Sequence, residues 1–112
     1  MFIKDKDYSN YIHTKRINLG EFFGKEEAEV YLTVRELTTK DVLLLKESAD
    51  KKENNAIVDT FRQILPNNIV DHNFYVDENT KMTPEEVSEL LFERIDVIGK
   101  VITVIQNSNF IR

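Results

Sequence analysis

His72 sits beside Asp71 and shortly before Asp77 and Glu78, and an imidazole with converging carboxylates can hold zinc or relay a proton. The second histidine, His13, is far away in the chain and offers no ligand spacing. The expected role of His72 is therefore structural, on the surface or in a hydrogen bond, with metal, acid–base and partner contact as the sharper alternatives. The segment Asp77-Glu78-Asn79-Thr80-Lys81 superficially resembles a calcium loop. That motif needs glycine at its sixth place and glutamate at its twelfth, where Met82 and Ser88 stand. Ser9, Ser48, Ser88 and Ser108 lack a nucleophile-elbow context, and no cysteine exists for thiol chemistry. Gly20 and Gly24, flanking Glu21-Phe22-Phe23, are too few to cradle a phosphate, and Phe22 and Phe23 are expected to pack under their connection. Asp59, Glu85, Glu86, Glu89 and Glu93 supply carboxylates without a defined cleft, so they read as a solvated acidic face that at most attracts a basic partner. The expectation is a protein that is not an enzyme and uses no cofactor and no metal.

Any such site must be carried by one small domain. A chain of 112 residues buries about 60 to 70% of its unfolded surface and has little room for a second core. With 41% hydrophobic and 31% charged residues, it has the composition of a folded domain. Its 20 acidic side chains against 15 basic ones give a net charge of -5, and Asp5 and Asp7 interrupt the basic residues Lys4, Lys6, Lys15 and Arg16. That field repels a phosphate backbone, so no nucleic-acid partner is expected. No apolar run suits a signal peptide or a membrane span, and an intracellular, soluble protein without a membrane partner is expected.

Residues 1–10 read as a flexible N-terminal arm of a single domain over 1–112. In Ala28 to Leu37, Val30, Leu32 and Val34 share one face by the two-residue period, opposite Tyr31, Thr33 and Arg35. Paired with the segment from Ile12 to Leu19, this strand predicts a minor antiparallel hairpin. Thr38, with Asp41 three residues on, opens a helix whose stripe is Val42, Leu45 and Ala49. A second helix, from Asn55 to Leu65, aligns Ile57, Phe61, Ile64 and Leu65, and Pro66 is expected to force the exit. The run from Ile69 to Val76 can be extended, and is expected to lie across the surface on aromatic anchors rather than join a sheet.

Thr83, Pro84 and Glu86 form the strongest helix start in the chain: a capping threonine, a proline at the first position and a glutamate at the third. A helix from Pro84 to about Asn107 would run roughly 36 Å. Leu91, Ile95, Ile98, Ile102 and Ile105 recur along it by fours and threes, and Val87, Leu90, Val101 and Val104 widen the stripe. This seam can serve the core, a partner or self-association. Val101 to Ile105 is rich in β-branched residues and follows Gly99, so a strand is the alternative there. Phe110 and Ile111 can anchor a partner. The fold class expected is a mainly α, small α+β domain: three to four helices, a minor N-terminal β-hairpin and a long C-terminal amphipathic helix.

Three stretches resemble the tail assembly chaperones of long-tailed bacteriophages and related prophages: Arg16 to Asp41, the helix ending in FRQILPNNIVDHNFY, and NTKMTPEEVSELLFE. The resemblance implies a non-catalytic holdase that binds and solubilises the helix-rich tape-measure protein, helps recruit tail-tube protein, and departs before the tail matures. It places the protein in the bacterial host cytoplasm during tail assembly and outside the mature virion. It also implies a possible partner in a frameshifted longer form of the chain, and a possible homo-oligomer. No client-contact residues transfer with it, so Leu91, Ile95, Ile98, Ile102 and Ile105 stand as partner-binding candidates on periodicity alone. The alternatives are an intracellular adaptor, a structural virion component and, least favoured, an enzyme using His72 and nearby carboxylates.

Overall fold

Val30, Leu32 and Val34 turn their shared face to the core, Leu32 and Val34 completely buried and Val30 partly so. The computed structural model describes residues 1–4, 12–51 and 55–106; most of the predicted arm lies outside them, as do Phe110 and Ile111. Strand β1 (Thr14–Asn18) pairs antiparallel with β2 (Tyr31–Arg35), Thr14 opposite Arg35 and Asn18 opposite Tyr31. This is the expected hairpin. Two short 3-10 turns, Gly20–Phe23 and Glu27–Glu29, fill its connection. A Cβ at Gly20 would meet the Glu26 carbonyl oxygen at 1.7 Å, so only glycine permits that backbone approach.

Helices α1 (Thr39–Asp50) and α2 (Ala56–Asn68) follow. The α1 cap is reciprocal: Thr38 Oγ1 accepts from the Asp41 N–H at 3.1 Å, and Asp41 Oδ2 accepts from the Thr38 N–H at 3.1 Å. Pro66 does not end α2, contrary to expectation. It sits in the last turn, where its fixed φ suits the helix and the missing donor removes only one bond. Two interactions hold that turn in place: the Ile69 N–H donates to the Leu65 carbonyl, and buried Asn68 donates from Nδ2 to the Arg35 carbonyl at 3.2 Å.

A second correction concerns Ile69 to Val76. Strand β3 (Ile69–His72) joins the sheet, giving the order β1-β2-β3, with Leu32 opposite His72 and Val34 opposite Ile69. A bulge at Val70 accounts for the lack of a simple alternation in this stretch. With its second edge, β2 satisfies backbone groups on both sides. Strands β4 (Tyr75–Asp77) and β5 (Thr80–Lys81) form a separate two-stranded hairpin.

The third correction is to the long C-terminal helix. It is two helices, α3 (Pro84–Phe92) and α4 (Ile95–Ile105). Arg94 is extended at φ -125 and ψ 114. Its guanidinium donates to the Phe22 carbonyl and to Asp96 Oδ2, and lies 5.3 Å from the centre of the Phe23 ring. The break lets Val87 and Leu91 of α3 and Val97, Ile98, Val101 and Ile105 of α4 reach one core with Ile17, Leu32, Phe61 and Leu65. Val101 to Ile105 is helical because burial of Val101 and Ile105 outweighs β-branched propensity. The result is a small mixed α+β domain, with four α-helices among the described residues. Among the described residues no helix is long and apolar enough to cross a membrane.

Candidate functional site

The strand period separates the residues around His72. His72 points inward and is 5% exposed, whereas Asp71 is on the open side. Nδ1 of His72 accepts the Phe74 N–H at 3.0 Å, and the ring lies edge-on to Phe74. An imidazole nitrogen that accepts is unprotonated. Burial holds the His72 pKa below 6.5; the Lys81 charge acts in the same direction, and the Met82 backbone and the Asp71 charge oppose it.

Asp71 accepts from Tyr31 Oη at 3.3 Å and from Lys81 Nζ at 3.4 Å. Its carboxyl is lowered first by the backbone hydrogen bond of His72, then by Lys81 and Tyr31, against desolvation. Asp77 Oδ1 accepts the Asn79 N–H at 2.9 Å, closing the β4–β5 turn, and that bond leads the lowering of its pKa. Asn73 ties this region to β2: it accepts the Tyr31 N–H at 2.9 Å and donates to the Glu29 carbonyl at 2.7 Å. These polar groups are used in architecture. Among the described residues no three His, Cys, Asp or Glu side chains converge to hold a metal ion.

Thr83 Oγ1 accepts from the Glu86 N–H at 3.2 Å and Glu86 Oε1 accepts from the Thr83 N–H at 3.1 Å, with Pro84 at the first helical turn. Glu86 is thereby committed to a cap, and Asp59, Glu85, Glu89 and Glu93 are exposed. Phe22 and Phe23 pack against the core; Phe23 meets Phe74 edge to face at 6.1 Å, and Lys100 Nζ is 5.5 Å from the Phe22 ring centre.

The periodic candidates are divided by the fold. Leu91, Ile98 and Ile105 are buried in the core, Ile102 packs against it, and Ile95 is 88% exposed. Only Ile95 and the outer part of Ile102 are within a partner's reach while this packing stands.

An open apolar groove lies elsewhere. Leu37, Val42, Leu45, Ala49, Ile57 and Gln106, with Lys46 at the rim, line a groove of about 270 Å³ between α1, the start of α2 and the end of α4. Val42, Leu45 and Ala49 are the stripe predicted for α1; Val42 and Leu45 are half-buried against the core and Ala49 is exposed, with no element laid over them among the described residues. Ile57 has the helical phase of Phe61 and Ile64, yet is 40% exposed. Beneath the groove α1 and α2 meet through small side chains. The Ser48 and Thr60 hydroxyls hydrogen-bond to each other, and each lies within bonding distance of a carbonyl one turn back, Leu44 and Ala56. Each hydroxyl has one proton, so one donates across the helix pair while the other donates to its own carbonyl. Nothing in the sequence marks this groove, because Ile57 shares the helical phase of buried Phe61 and Ile64 and reads as core.

Comparison with protein-family models, curated proteins and solved structures finds no match to the chain.

Proposed function

We propose that this protein is a non-catalytic tail assembly chaperone of a long-tailed bacteriophage or prophage. It keeps the tape-measure protein soluble and helps recruit tail-tube subunits in the bacterial host cytoplasm, then leaves before the virion matures. The observation that carries this reading is the apolar groove of Leu37, Val42, Leu45, Ala49 and Ile57, which offers contact area to an apolar client without any reacting group. Such area favours association because apolar surface leaves water when a partner covers it. The resemblance of Arg16 to Asp41 and of the Thr83-led helix to these chaperones supplies the client.

The test is co-expression with the neighbouring viral tail proteins, followed by mass measurement of soluble complexes. The expected result is a soluble complex with the tape-measure protein, which precipitates when this chain is omitted. A tape-measure protein whose solubility is unchanged by omission would overturn the reading. Stoichiometric copies in finished particles would favour a structural virion component instead.

A further inference from the structure

We propose that His72 latches the β4–β5 hairpin to the domain, and that protonation of its ring releases this hairpin from the sheet while the core stays folded. The latch is independent of the holdase reading.

The hairpin is held at its base. Before it, the chain is pinned to β2: the Asn73 N–H donates to the Tyr31 carbonyl at 3.3 Å, and Asn73 Oδ1 accepts the Tyr31 N–H at 2.9 Å. After it, Thr83 is fixed in the α3 cap. Between these points Tyr75–Asp77 and Thr80–Lys81 are exposed along their whole length, so neither strand buries a side chain that would bind it to the domain. Phe74 closes the base. Its buried ring meets Phe23 and His72 edge-on, its carbonyl accepts the Met82 N–H at 3.0 Å, and its own N–H donates to Nδ1 of His72 at 3.0 Å. Lys81 adds an ion pair to Asp71 at 3.4 Å, with both side chains about half exposed, and pairs of that kind hold little.

Protonation reverses the sense of the latch. In the neutral ring Nδ1 accepts; in the cation both nitrogens donate. The Phe74 N–H then faces a second N–H, and a charge stands in a buried site, until the hairpin swings out and water reaches the ring. Burial opposes the cation most and the Lys81 charge on β5 adds to it, whereas the Met82 backbone and the Asp71 charge on β3 favour it. Leu32, opposite on β2, and Phe74 carry no charge. Asp71, lowered from 3.8, stays ionised down to about pH 5.5, so its pair with Lys81 does not titrate alongside His72. The closed form binds the proton less readily than the open one. Opening is therefore suppressed above pH 6.5 and grows as pH falls from there through the closed-form pKa, by up to about tenfold per pH unit for one proton.

The test is amide hydrogen exchange in the full chain, followed by NMR from about pH 7.5 to about pH 5.5 and corrected for the intrinsic pH dependence of exchange. Protection of the Phe74 and Met82 amides is expected to fall about three- to tenfold across that range, whereas Val97 and Val101 in the core keep theirs. His72→Asn supplies an acceptor oxygen that does not titrate, and should make the protection of both amides independent of pH. His72→Leu should leave the Phe74 amide poorly protected at every pH. Protection in the parent chain that does not change with pH, a slope that persists in His72→Asn, or an equal loss at Val97 and Val101 would each overturn the latch. Nitrogen NMR of the His72 ring in the unmodified chain keeps the test if the variants do not fold: a ring that takes up its proton while the Phe74 and Met82 amides stay protected overturns the latch as well.

Discussion

The strand and turn around His72 and the furrow between α1 and α2 invert what their residue types suggest. The first has an imidazole, two nearby aspartates and an asparagine, and each is engaged: His72 with Phe74, Asp71 with Tyr31 and Lys81, Asp77 with Asn79, Asn73 with β2. The second has Val42, Leu45, Ala49 and Ile57, ordinary core residues by type, and leaves them accessible. Polar residues placed where they must be satisfied are consumed by the fold. Apolar residues left uncovered retain free energy that a partner can release.

The largest expected difference lies between a core residue and a groove residue. Leu91→Ala should cost about 2–5 kcal/mol in urea unfolding, whereas Ala49→Glu in the isolated chain should stay within about 0.5 kcal/mol. Comparable losses would show that the furrow is closed in solution. His72 comes next: His72→Leu removes the acceptor of a buried N–H and should cost about 1–3 kcal/mol near neutral pH.

The same histidine gives a pH signature. Its folded pKa lies below 6.5, so the unfolded chain binds the proton more readily. Its contribution is complete above 6.5 and is lost as pH falls from there through the folded value. Urea midpoints measured across that window should decline in the parent chain, and His72→Leu should flatten that slope. Asp71 and Asp77, lowered from 3.8, act in a separate, more acidic window.

Smaller effects are expected in the two C-terminal helices. Thr83→Ala should destabilise by about 1 kcal/mol through loss of the α3 cap, read by thermal unfolding. Gly99 lies in exposed helix, and an added Cβ there meets nothing within 4 Å. Gly99→Ala should therefore stabilise by about 0.5–1 kcal/mol, and a loss instead would mean that this face of α4 is covered in solution.

Local rules made some of this molecule readable. Thr38 with Asp41, and Thr83 with Pro84 and Glu86, announce their helices because a cap involves neighbours within one turn. The inward set Leu32 and Val34 follows from strand alternation, and the small α+β class follows from the mix of the two periods. The split at Arg94 was hidden, because its causes, Phe22 and Phe23, lie some seventy residues earlier in the chain. The continuation of α2 through Pro66 was hidden as well, since Asn68 draws its support from Arg35.

By itself, then, the order of residues determined where the two best-capped helices begin and which side chains are apolar enough to seek burial, because those properties depend on near neighbours. Tertiary structure alone decided that His72 faces inward while Asp71 faces out, that Leu91, Ile98 and Ile105 serve the core, and that Val42, Leu45 and Ile57 are left over. Burial is a competition among all the apolar faces of the chain for one small interior, and the pattern along a single helix does not say which face wins.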